Sequence, residues 1–172
     1  MNDRFNYELE NFTPENADSK VFELGKPSDI LLNAGIENKP LKLYGSKLLK
    51  KMKKHGFKAT DLKDLPNAIA DPIAIFKGSR PNTFAILTEI KINGDNAFVS
   101  LETGKDRDID FNMITSTYGK AKEGISNWIN DGKLLYENKE KSLDYLGTLA
   151  PIASAGSQGS TNKYTKNSGN KQ

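Results

Sequence analysis

The chain has 172 residues, of which 36% are apolar and 27% charged, with a formal net charge of +3 and a mean hydropathy of -0.62. That composition suits one modest core, and no apolar run approaches the roughly 18–20 residues that a membrane helix needs. Cysteine is absent and His55 is the single histidine, which excludes disulfides, thiolate chemistry and any poly-histidine metal site, and no D-x-D-x-D-G loop is present.

Residues 1–20 carry two basic and five acidic residues without apolar periodicity, and the expectation is a disordered, flexible leader. They lack the charged-then-apolar layout of a signal peptide. Val21–Leu24 reads as a short edge strand. Pro27-Ser28-Asp29 offers helix-start chemistry for Asp29–Asn33, and Gly35 stops it. Leu41–Tyr44 alternates as a strand. Ser46 is the expected N-cap of a helix reaching about His55, closed by Gly56 in the C′ position. Leu48, Leu49 and Met52 form its apolar stripe. Residues 47–58 contain six lysines and His55 but no acid, which fits either a phosphate-binding patch or a solvated helix face.

A helical turn is expected around Leu65–Ala70, then a strand at Ile73–Lys77. Ser79-Arg80-Pro81-Asn82 turns the chain into a strand at Thr83–Ile92, and Asn93-Gly94-Asp95-Asn96 is a hairpin signal before Ala97–Leu101. Asp108–Tyr118 reads as a long strand whose alternation slips between Met113 and Ile114, the mark of a bulge. A helix over Ala121–Asn130 carries Ile125, Trp128 and Ile129 inward. Leu134–Tyr136 is a short strand, and Lys139–Leu146 a helix with Leu143 and Leu146 inward. Residues 148–172, rich in Ala, Ser, Gly, Asn and Lys, read as a disordered tail. The folded unit is therefore expected at 21–147, an α+β layout with helix packed on one sheet face.

Phe22-Glu23-Leu24-Gly25, Leu43-Tyr44-Gly45-Ser46, Pro72-Ile73-Ala74-Ile75-Phe76-Lys77, Ile86-Leu87-Thr88-Glu89 and Asp110-Phe111-Asn112 occur in that order. They lead into Ile114-Thr115-Ser116-Thr117-Tyr118-Gly119-Lys120. In this order the segments resemble the phage MuF C-terminal family, over roughly three quarters of the chain. The resemblance implies a barnase/EndoU/colicin/RelE-like fold, with N-terminal helices packed on a curved four-stranded antiparallel sheet. It further implies a toxin-like ribonuclease of a phage or mobile element, working in the host cytoplasm and in some members delivered with phage DNA. The implied partners are RNA and an immunity or host protein, with no membrane and no cofactor.

Metal-independent RNA cleavage needs a base for the 2′-hydroxyl proton, an acid for the leaving 5′-oxygen and fixed donors around the phosphate. Lys47, Lys51 and His55 follow one another at i+4 steps and share one helix row. His55 borders the Leu48/Met52 stripe, where it serves either packing or acid/base chemistry, and an unperturbed imidazole titrates near neutrality. Glu89 alternates with Thr88 and Ile90; it is a candidate general base, or else a cross-strand ion pair with Lys77 or Lys91. Alternation puts Ser116 and Tyr118 on one strand face, and the resemblance assigns such a Ser/Thr-x-Tyr element to the scissile phosphate. His55, Lys51, Glu89, Ser116 and Tyr118 are thus the candidate catalytic set, with Lys47, Lys54, Lys77 and Lys120 as candidate nucleic-acid contacts. A catalytically inactive module binding RNA or protein on the same fold is the competing reading. An ADP-ribosyltransferase fits poorly, because Glu137-Asn138-Lys139-Glu140 is expected beyond the sheet and no Glu-x-Glu follows the Thr-Ser-Thr run.

Overall fold

A computed structural model of the chain describes residues 2–104 and 109–146. Helix α1 (Asn2–Glu10) and a 3-10 turn (Pro14–Ser19) precede strand β1 (Val21–Gly25), helix α2 (Asp29–Asn33), strand β2 (Leu41–Tyr44) and helix α3 (Gly45–His55). A 3-10 turn (Ala59–Leu62), helix α4 (Leu65–Ala70) and strands β3 (Ala74–Lys77), β4 (Thr83–Ile92), β5 (Asp95–Glu102) and β6 (Asn112–Lys120) follow. Helix α5 (Lys122–Asn130), strand β7 (Leu134–Glu137) and helix α6 (Lys139–Leu146) complete the described residues.

The strands form one seven-stranded sheet in the order β1-β2-β6-β5-β4-β3-β7. Every neighbouring pair is antiparallel except β2 and β6, which run parallel with Leu41, Lys42 and Leu43 beside Asn112, Met113 and Ile114. The expected curved four-stranded antiparallel sheet is thereby corrected to an open, mixed one. The short strands β1 and β2 bury Phe22, Leu24, Leu41 and Leu43 by joining the central meander, whereas β7 keeps Leu135 exposed at the sheet edge. Leu41 and Leu43 are buried with Phe22 in the same core as Val99 and Ile114.

Helix on one sheet face alone is also corrected. The first core holds Phe5, Phe22, Leu48, Leu65, Ile75, Ile86, Val99 and Ile114 beneath the N-terminal helices. The second holds Ala74, Phe76, Ala85, Leu87 and Phe98 beneath Ile125 of α5 and Tyr145 of α6. Ala85 through Thr88 are consequently all buried, the signature of a strand covered on both sides. In α6 the inward residues are Ser142 and Tyr145, whereas Leu143 is 59% exposed, so the expected inward Leu143 does not hold.

Residues 2–20 are not a flexible leader. Phe5 and Leu9 of α1 and Ala17 of the following turn are buried, with the Phe5 ring edge-on to Phe22 at 5.5 Å. Two apolar residues at i and i+4 suffice to dock one helix face. The amide of Gly45 donates to the Lys20 carbonyl at 2.8 Å. A Cβ at Gly45 would lie 2.5 Å from the Ala17 carbonyl oxygen, so this contact requires glycine. The expected tail, residues 148–172, lies outside the described residues.

Candidate functional site

The register defines which side chains share a sheet face. Phe98 pairs with Tyr118, Val99 with Thr117 and Ser100 with Ser116; then a shift pairs Leu101 with Ile114. The bulge therefore falls at Thr115, one residue beyond the expected slip. Val99, Leu101 and Ile114 point into the first core. Ser116, Tyr118 and Lys120 accordingly share the other face with Phe98, which belongs to the second core.

Parallel pairing with β2 ends at Ile114, and α3, which starts immediately after β2, packs against the rest of β6. The helix is capped by Tyr44 rather than by the expected Ser46, since Gly45 already has helical geometry. It closes at Gly56, whose φ of 68° permits the left-handed cap that bonds back to the Met52 carbonyl. Leu48 enters the first core, and Met52 packs on its edge. The neighbouring row is thereby directed along β6.

The result is a close cluster. The His55 imidazole lies flat on the Tyr118 ring, with centroids 4.8 Å apart and planes 11° from parallel. The Lys51 ammonium stands 5.6 Å from the same ring centroid, within cation–π range. His55, Lys51, Ser116 and Tyr118 are all half-buried. Among the described residues no carboxylate forms an ion pair with the lysines of α3.

Electrostatics follow from that imbalance. Burial lowers the His55 pKa below its ordinary value, and the charges of Lys51 and Lys54 push it the same way. Burial also lowers the Lys51 pKa, with Lys54, Lys50 and Lys47 adding to the effect. The imidazole is therefore neutral at pH 7, and the neighbouring ammonium gives up its proton more readily than a solvated lysine.

The remaining candidates are placed elsewhere. Glu89 stands on β4, separated from β6 by β5 and hence by roughly 10 Å of sheet. Its carboxylate meets the Lys141 ammonium of α6 at 2.9 Å, and Lys141 also reaches Asp71 at 3.1 Å. Neither Lys77 nor Lys91, its expected ion partners, makes that contact; Lys91 donates to the Asn96 side chain instead. Lys77, exposed at the end of β3, is three strands from β6. Lys120 lies over the Trp128 ring at 4.6 Å. Trp128 itself packs edge-on against Phe76 and Phe98, as a core residue does. Lys47 and Lys54 remain on α3 beside Lys51.

Asn93 is a contributor that sequence reasoning missed. At the β4–β5 turn its carboxamide donates to the carbonyls of His55 and Gly56. Asn93 and Gly94 have φ values of 52° and 87°, the type I′ pattern of a two-residue hairpin. The Asn-Gly pair was legible as a turn; its grip on a distant helix end was not.

Residues 46–144 match the family model of the phage MuF C-terminal domain, more than half of the chain. The chain belongs to that family, a phage protein domain. No curated protein and no solved structure matches it. The matched span opens inside α3 and includes His55, Ser116 and Tyr118, while α1, β1, α2 and β2 precede it. Among the described residues no helix is long and apolar enough to cross a membrane.

Proposed function

We propose that this domain is a toxin-like endoribonuclease that cleaves RNA without a metal ion, and the carrying observation is the His55–Tyr118 stack beneath Lys51. Neutral His55 accepts the proton of a ribose 2′-hydroxyl as that oxygen attacks the adjacent phosphorus. The P–O5′ bond breaks with its electron pair going to the 5′-oxygen, which takes a proton from the Lys51 ammonium. The products are a 2′,3′-cyclic phosphate and a free 5′-hydroxyl. Ser116 and Tyr118 supply hydroxyl donors on the same strand face, and Lys47 and Lys54 attract the phosphate chain. Belonging to a phage family agrees with a role against or within a host cell, whose cytoplasm is the proposed place of action.

A non-catalytic RNA- or protein-binding module is the second reading, and the engagement of Glu89 by Lys141 favours it, because the cluster then lacks a carboxylate base. Incubation with transfer RNA and total RNA, with and without EDTA, separates the two. EDTA-resistant cleavage with cyclic-phosphate ends is the expected result. Binding without cleavage establishes the module, and cleavage that EDTA abolishes and a divalent cation restores overturns the mechanism.

A further inference from the structure

Among the described residues the second core is built on β3, β4 and β5 with Leu134 of β7 packed against it, and none of its members lies on β1, β2 or β6. At the β1–β2–β6 end the same face carries Glu23, Lys42, Tyr44, Met113 and Ser116, all exposed or half-buried. Within this open strip the Tyr44 and Phe111 rings stack at 6.1 Å with planes 25° apart. The Lys42 ammonium lies 5.1 Å from the Phe111 centroid. The pairs Phe5–Phe22 and Phe76–Phe98 have both rings fully buried, whereas Tyr44 and Phe111 are each half-buried. A surface ring pair bearing a cation is an arrangement that binds a nucleobase above and a phosphate beside it.

Its position fits. Tyr44 directly precedes α3, the helix that carries Lys51 and His55. Extending the parallel register places Tyr44 beside Thr115, three residues or roughly 10 Å along β6 from Tyr118. A strand whose phosphate lies at Tyr118 can therefore lay a neighbouring nucleotide on Tyr44 and Phe111. We infer that Tyr44, Phe111 and Lys42 form a stacking subsite for an unpaired base of single-stranded RNA flanking the cleaved bond. The subsite rests on the ribonuclease reading for its substrate class. Both Lys42 and Tyr44 precede the span that matches the family.

Affinity is measured by fluorescence anisotropy with a labelled oligouridylate and with an abasic ribose-phosphate strand of equal length. Phe111→Ala should weaken binding of the oligouridylate by about 5- to 150-fold, the worth of one stacked base. It should leave the abasic strand bound as before, and Phe111→Trp should retain affinity for both. If Phe111→Ala lowers thermal stability, Phe111→Leu makes the same comparison with the apolar contact kept. Equal losses on the two strands, or no loss on either, overturn the subsite. Selective loss in a protein that binds but does not cleave keeps the subsite and discards the catalytic mechanism. Failure of the unaltered protein to bind either strand ends both.

Discussion

The Asn93 carboxamide donates to two successive carbonyls, those of His55 at 3.3 Å and Gly56 at 3.2 Å, and so ties the last turn of α3 to the β4–β5 hairpin. Asn93→Gly suits the positive φ and preserves the turn while deleting the tie. The expected outcome is near-normal thermal stability with a cleavage rate reduced by up to about 10²-fold, since small misplacements of a catalytic group are costly. Melting curves and initial rates on the same preparation check it.

His55→Ala should lower the cleavage rate by about 10²–10⁴-fold, the usual contribution of one general acid or base, with the fold retained. The pH profile gives a finer reading. Because the His55 pKa is lowered by burial and by Lys51 and Lys54, the rising limb of kcat/KM should have its midpoint below 6.5. Lys54→Gln removes one of those charges and should move the midpoint upward. An unmoved midpoint would assign the limb to another group.

The same shift couples acidity to stability. Unfolded His55 titrates near its ordinary 6.5 and folded His55 lower, so between the two values the unfolded chain holds the extra proton. Stability is at its full value above pH 6.5 and falls as pH drops through the lowered folded value. Denaturant midpoints from about pH 7 down to 5 should decline less steeply for His55→Gln than for the unaltered chain.

Glu89→Gln tests whether the ion pair with Lys141 is all that Glu89 does. The Glu89 side chain is 58% exposed, and exposed ion pairs contribute about 0–1 kcal/mol. Stability should change within that range and the cleavage rate should stay the same. A large loss of rate would return Glu89 to the catalytic set.

Much of the local structure was legible because it depends on neighbours in sequence. Gly56 closing α3, Asn93-Gly94 turning the hairpin and Ser28 capping α2 are each settled within a few residues. The shared row of Lys51 and His55, and the shared face of Ser116 and Tyr118, follow from helix and strand periods. Period alone cannot say which strand lies beside which, so the parallel β2–β6 pairing and the place of β7 at the sheet edge beside β3 were beyond reach, although the strand at Leu134–Tyr136 was legible. Nor could it tell α1 from a polar leader, since its hydrophobic content is chiefly Phe5 and Leu9. The ion partner of Glu89 was out of reach for a related reason: Lys141 lies 52 residues away, on a helix whose inward face is set by Ser142 and Tyr145.

The N-terminal segment provides one more test. Phe5 is fully buried, so Phe5→Ala should cost about 3–5 kcal/mol in urea unfolding, a large share of a small domain's stability. A leader without a docked helix would show almost no change.

The parallel pairing of β2 with β6 also sets an order of events. Leu41 meets Asn112 only after 71 further residues have been made, and His55 meets Tyr118 only when β6 exists. Until then β2 has no strand neighbour other than β1, so its other edge stays bare, and the β4–β5 hairpin has nothing that joins it to that pair. Strand β6 is the splice between the halves, so folding must wait for a contact of long sequence separation and should be slow for a domain of this size. Premature release of the chain before β6 would leave no paired His55 and an unguarded sheet edge, a species prone to aggregation and devoid of the stacked site.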